Sequence, residues 1–198
     1  LAQYKKLKIK LIQLSNDPGP SQQHNIGAKA ANPNVKIYFF LDNDTELKEI
    51  FDISYLLKEM ERNRVAVIQP LILDPDGKIQ SAGNDIDRLL YSHKRRKLIN
   101  QSFFYASGAA YAIRKDIFWK IGGYDPTIAM AMDDVDLGFR LRIYGYEPKI
   151  APRLKVIHYG YEKITPKSIL YLCEGTAKIF FKYYPLNWIL IFGSIALI

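Results

Sequence analysis

The run Val35 to Leu41 is apolar except for Lys36 and ends on Asp42-Asn43-Asp44. A short apolar run bounded by a turn signal reads as a buried strand. Carboxylates at the end of such a strand lie at the rim of a sheet, where ligands of open α/β sheets bind. Two short carboxylates one residue apart can share a hard divalent cation, and that cation can hold a diphosphate. The chain is thereby constrained to a sheet with a polar, metal-competent edge.

Strand-like and helix-like segments alternate around this run. Residues 1–14 read as a basic helix end, LAQYKKL, then strand-like KIKLIQL. SNDPGPSQQ is loop, and HNIGAKAAN is helix-like up to Asn32-Pro33. Thr45 is placed to cap a helix over 46–62. VAVIQPLIL reads as a second strand followed by the turn DPDG, while residues 84–102, with HKRRK, show no clear period. FYASGAAYAIRK has strand character, and DIFWKIGGYDP is a helical turn closed by Gly-Gly. Val135 to Tyr144 alternates like a strand, but three aspartates at its start and Gly145 at its end are helix signals. The helical reading puts Asp134 in the first turn. The alternation predicts an α/β domain, a mixed and mostly parallel sheet flanked by helices.

A chain of 198 residues, 48% hydrophobic, is long enough for one domain with a short appendage. Its +8 charge suits phosphate-rich partners. No nucleic-acid motif or aromatic-interleaved basic stripe accompanies that charge, so nucleic acid is not the expected partner. The single Cys173 excludes an internal disulfide framework and a multi-cysteine zinc site. Residues 1–164 carry the catalytic-domain pattern, and 165–198 read as an amphipathic, membrane-associated helical tail. Pro185 to Ile198 is apolar apart from Asn187 and Ser194, preceded by Lys178, Lys182 and the aromatic FFKYY. That run is shorter than the roughly 20 residues of a spanning helix, but the chain stops inside it, and a transmembrane segment cut by the end of the sequence is expected; its basic flank predicts the cytoplasmic face of the cell membrane. The chain opens on Leu1, with no signal pattern, and an N-terminal truncation is expected.

Four segments in order, HNIGAKAA, FFLDNDTEL, LILDPDGKIQSAG and YASGAAYAIRKDIFWKIGGYDP…MDDVDLGFRLRIYGYE, resemble family 2 glycosyltransferases over about residues 10–160. These are inverting enzymes of the GT-A fold, and the likeness is strongest to the rhamnosyltransferase-like branch that builds cell-surface polysaccharide. The resemblance implies a nucleotide-diphosphate sugar donor, a glycan or lipid-linked acceptor, and Mg²⁺ or Mn²⁺. It makes Asp44 a metal ligand, Asp42 a second ligand or a donor contact, and His158 a third ligand or a diphosphate contact. Asp134 becomes the catalytic base, with Asp133 and Asp136 as supports and Arg140 as a helix-pair partner for Asp136. Asn25, Gly108, Lys94, Arg95 and Arg96 are placed on the donor side, and Asp133, Trp119, Gly123 and Tyr124 on the acceptor side.

Two features depart from the pattern: Asp133 stands where the family usually has Glu, and the first strands of the nucleotide pocket are missing. Each residue also has a plainer reading. Asp42 and Asp44 can be turn acids, His158 structural, Trp119 a loop anchor, and Lys94-Arg95-Arg96-Lys97 a solvated loop. The rival functions are a sugar-phosphate nucleotidyltransferase, which would release pyrophosphate, and a non-catalytic nucleotide- or membrane-binding domain.

Overall fold

A computed structural model describes residues 8–48, 52–61, 65–99, 102–128, 130–160 and 165–188. Helix α1 (Pro20–Ala30) takes its first-turn proline as a ready-made helical φ and ends before the Asn32-Pro33 break. Strand β1 (Ile37–Leu41) follows, with Tyr38 and Phe40 buried on one face. Strand β2 (Thr45–Leu47) comes next, then α2 (Ile53–Met60), capped by Asp52, whose carboxylate accepts from Tyr55 N at 2.9 Å. The nine-residue β3 (Val65–Leu73) is buried along almost its whole length, as a central strand should be.

Two short strands, β4 (Ile79–Ser81) and β5 (Asn84–Ile86), precede β6 (Ser92–Lys94) and β7 (Ala110–Arg114). Helix α3 (Lys115–Lys120) ends at Gly122 and Gly123, both in the left-handed region. Helix α4 (Asp133–Ile143), strand β8 (Glu147–His158) and helix α5 (Pro166–Tyr183) complete the described elements.

The main sheet has the order β1-β7-β3-β8-β2, with β4 added to β3, and β5 and β6 form a separate hairpin. It is mixed, but the expectation of a mostly parallel sheet does not hold among the described strands. Only β3 and β8 pair in parallel; β1–β7, β3–β7, β3–β4 and β2–β8 are antiparallel. The strands β1, β3 and β8 do point the same way, which is what helical crossovers produce. The long excursion through the hairpin lets β7 return between β1 and β3 in the opposite sense. Aromatic residues from β1, β7 and α3 pack with Tyr124 and α4 on one face of the sheet. On the other face Leu56 and Met60 of α2 pack on Ile68, Ala112 and Leu154.

Two local expectations are also corrected. Thr45 starts a strand, not a helix: its hydroxyl donates to Asp42 O at 2.6 Å, closing a turn, and its strand pairs with β8. KIKLIQL finds no strand partner among the described residues, and Leu11 is 89% exposed. Lys94 to Lys97, without visible period, emerge from the β5–β6 hairpin, a pairing that needs the register Asn84↔Lys94 to be seen.

Candidate active site

Two registers build the site. In the β1–β7 ladder Leu41 lies opposite Ala110, so the next residue, Asp42, donates its N–H to Ala109 O at 3.0 Å. In the β2–β8 ladder Thr45 lies opposite His158, and Tyr159 N donates to Asp44 O at 2.9 Å. Strand pairing therefore brings a histidine from the end of one strand against the acidic turn that follows another. Donor atoms of Asp42, Asp44 and His158 all lie within 4.8 Å of one another, and His158 Nε2 is 3.4 Å from Asp44 Oδ1. Two carboxylates and an imidazole suit Mg²⁺ or Mn²⁺ through the oxygens, with the nitrogen favouring the latter. The electrostatics agree with that fit. Burial, then the charge of Asp44, raises the Asp42 pKa against the opposing pull of His158, a repulsion a cation would relieve.

The second acidic group approaches the same edge through one loop. Gly108, one residue before Ala109, donates its N–H to Asp134 Oδ2 at 3.1 Å, and Val135 N donates to Asp134 Oδ1 at 2.8 Å. The segment that holds Asp42 thus also holds Asp134. Burial, then the charge of Asp133, raises the Asp134 pKa, while the two N–H donors pull it down. Asp133 is likewise raised by burial, opposed by backbone N–H groups of the helix start. Both carboxylates sit in the first turn of α4, where the helix N-terminus faces them.

Beneath them the buried hydroxyls of Tyr111 and Tyr124 hydrogen-bond each other. The expectation that puts Tyr124 on the acceptor side is therefore corrected: the residue is 1% exposed and belongs to the core. Trp119 is displaced too. It lines a cleft with Pro33, Lys36 and Arg114 at the opposite end of β1, and its indole N–H donates to Tyr38 OH at 3.0 Å. Gly123 supports the site indirectly, since a Cβ there would lie 2.6 Å from Asn25 Oδ1. Asn25 is engaged as well: its amide donates to Tyr124 O at 2.8 Å and accepts from Tyr124 N at 2.9 Å. It ties α1 to the Gly-Gly loop.

On the basic segment, Arg95 grips Asp85 through two N–H groups at 2.5 and 3.0 Å and bonds Ser102 O, a brace for the hairpin. Lys94 is exposed on β6, and Arg96 lies 3.3 Å from Asp74. Asp136 is fully buried and pairs with Arg140 as the i,i+4 spacing predicts, with Nη2 at 2.6 Å. It also accepts from Lys182 Nζ at 2.8 Å and Tyr183 OH at 2.6 Å on α5.

Sequence reasoning missed a polar support under the loop. Gln69, in the middle of the apolar strand β3 and fully buried, accepts from Ser107 N at 2.9 Å and donates to Ser81 Oγ at 3.1 Å. The signal was there in VAVIQPLIL: a glutamine buried among aliphatics must be hydrogen-bonded to something that matters for position. Gln80 was missed too, and it contacts His158 directly.

Residues 1–122 match the family described as Glycosyl transferase family 2. The chain belongs to that family. It is 27% identical over 116 residues to an N-acetylglucosaminyl-diphospho-decaprenol L-rhamnosyltransferase of Mycobacterium tuberculosis, an alignment covering 48% of this chain and 38% of the relative. The matched region thus spans well under half of that relative's length. Among solved structures, the chain is similar to GalNAc-T7 determined with UDP, GalNAc and Mn²⁺, with TM-score 0.65 and 18% identity over 84% of this chain and 36% of that one. It is also similar to the mannosyltransferase PcManGT of Pyrobaculum calidifontis, determined with GDP-Man and Mn²⁺, with TM-score 0.57 and 11% identity over 99% and 64%. The fold of this family 2 chain is GT-A, a mixed sheet flanked by helices.

Proposed function

We propose that this chain is the catalytic part of a metal-dependent, inverting glycosyltransferase. It would move a sugar from a nucleotide-diphosphate donor to a glycan or lipid-linked acceptor in cell-surface polysaccharide synthesis. The observation that carries the reading is the single loop, Ser107 to Ala109, holding Asp42 through one bond and Asp134 through another. A cation-competent cluster and a half-buried carboxylate are thereby fixed side by side, as transfer from a metal-bound diphosphate requires.

Mg²⁺ or Mn²⁺ held by Asp42, Asp44 and His158 would supply neutralisation of charge on the leaving diphosphate. The protein supplies the remaining steps. Asp134 accepts the proton of the acceptor hydroxyl as that oxygen bonds to the anomeric carbon. The carbon–oxygen bond to the diphosphate breaks on the opposite face, so the configuration inverts. The N–H bonds from Gly108 and Val135 hold the base's orientation, and its raised pKa matches it better to a hydroxyl proton. Asp133, beside the base in the first turn of α4, is assigned to the acceptor. For Lys94 and Gly108 the donor role fits their position on the site's hairpin and loop.

The tail reading extends the proposal to the cytoplasmic face of a membrane. Its support is the apolar run 185–198 and the lysines before it. Among the described residues no helix is long and apolar enough to cross a membrane, and 189–198 lie outside them.

The deciding measurement is turnover and donor binding by Asp134→Asn in the full-length protein. A loss in kcat of about 10²–10⁴-fold with donor affinity nearly unchanged is expected. Retention of a tenth of the wild-type turnover would remove Asp134 as the base.

A further inference from the structure

We propose that Gln80, locked by Asp74 and Arg96, is a positioning residue that fixes His158 in the tautomer able to ligate a divalent cation. The inference rests on the cation reading of the Asp42–Asp44–His158 cluster. It begins with the backbone. In the β3–β4 ladder Leu73 pairs with Ile79 and Ile72 with Ser81, so one residue of β4 has no counterpart. That residue is Gln80. A bulge of this kind re-aims a side chain, and here the aim is toward the end of β8.

The orientation of the Gln80 amide follows from its partners. Its Nε2 donates to Asp74 Oδ1 at 2.9 Å and to the carbonyl of His158 at 3.2 Å. A carboxylate and a carbonyl can only accept, so the nitrogen must face them. The amide oxygen is then the atom 2.7 Å from His158 Nδ1, and Nδ1 must carry the hydrogen. In the neutral ring that leaves Nε2 with its lone pair, and Nε2 is the atom facing Asp44. Without an acceptor at Nδ1, the ring proton is free to sit on Nε2 and block ligation.

Asp74 is fixed in turn. It opens the DPDG turn, where its N–H donates to Lys78 O at 2.8 Å and its carbonyl accepts from Gly77 N at 2.9 Å. Its second carboxylate oxygen lies 3.3 Å from Arg96. The DPDG turn and the basic hairpin segment, which sequence patterns treat as unrelated loops, thus meet behind one metal ligand. Outer partners of this kind set ligand basicity and orientation, and their loss weakens metal affinity by about 10–100-fold.

The test uses the 198-residue chain labelled with [¹⁵N]histidine, which has only three histidines to assign. Two-bond ¹⁵N–¹H correlation without metal, at about pH 8.5 and so above the ordinary imidazole range, reads the tautomer of His158. Calorimetric titration with Mn²⁺ reads affinity. The wild-type ring is expected as Nδ1–H. Gln80→Leu should shift it toward Nε2–H and weaken Mn²⁺ binding by about 10–100-fold, whereas Gln80→Glu, which keeps an acceptor at that position, should hold the Nδ1–H form. A wild-type Nε2–H ring, or a folded Gln80→Leu with unchanged tautomer and affinity, overturns the inference while leaving the cation reading intact. Mn²⁺ binding that ignores Asp44→Ala overturns the cation reading and this inference with it.

Discussion

Asp134 carries a conflict between stability and chemistry that pH should expose. Its folded-state pKa is raised, by burial first and by Asp133 second. Below the ordinary aspartate range both folded and unfolded chains keep the proton, and the group is neutral to stability. As pH rises past that range the unfolded chain releases its proton first, so stability falls until the folded-state value is passed. Asp134→Asn should therefore raise the melting temperature by a few degrees at about pH 8, and the gain should vanish near about pH 4. A variant less stable than wild type at the higher pH would show that the carboxylate is not destabilised by its site. The same raised pKa governs activity in the opposite sense, because the base works deprotonated. The acid limb of kcat/KM should lie above the ordinary carboxylate range, and a limb near about pH 4 would contradict the assignment. At Asp44, substitution by Ala should raise KM for the donor and lower kcat together; a variant keeping normal nucleotide binding and its Mn²⁺ requirement would remove Asp44 as a ligand.

The elements that present Asp134 are held by a neighbouring helix. Ala131 and Met132, directly before α4, both have positive φ, a cost of about 1–3 kcal/mol each for such residues. Helix α5 closes over them: Gly175 approaches so near that a Cβ would lie 2.9 Å from Ala131 O. Tyr183 stacks on Phe139 at 4.4 Å, Ile179 is fully buried, and Asp136 bonds both Lys182 and Tyr183. Gly175→Ala should destabilise by about 1–3 kcal/mol, since the clash is with backbone that cannot step aside. Activity should fall with it as the start of α4 shifts. Unchanged turnover with unchanged melting would mean that α5 does not hold the α4 entry.

At the scale of the molecule, one face of α5 packs on the body of the domain. The helix covers Leu90, Tyr105, Ile128, Met132 and Val135, a cluster that would meet water if the chain stopped near Lys163. The proposed membrane segment is 185–198. A chain ending at Tyr184 should fold without detergent and stop co-floating with anionic vesicles that capture the whole chain. Equal flotation of both would remove the 185–198 run as the anchor and point instead to the exposed Leu170 and Phe181 on α5.

Local pattern determined much of this protein. A strand ending on two aspartates, a helix starting on three, the DPDG turn and the Gly-Gly break are short-range matters of hydrophobic period, capping and positive φ, and all are where the chain shows them. Long-range pairing was invisible to such reasoning. Thr45 to Leu47 has no strand identity until β8 lies beside it, and that pairing is what delivers His158 to Asp44. Trp119 and Tyr124 read as acceptor-side residues because they flank the Gly122-Gly123 break. Tertiary packing instead turned one into the core and the other toward the far end of the sheet. Gln69 and Gln80 read as incidental polar residues until hydrogen bonds to Ser107 and His158 gave them partners. Sequence carries which groups can do chemistry; which of them face one another depends on strand register and helix docking, contacts between residues as far apart in the chain as Asp44 and Tyr159.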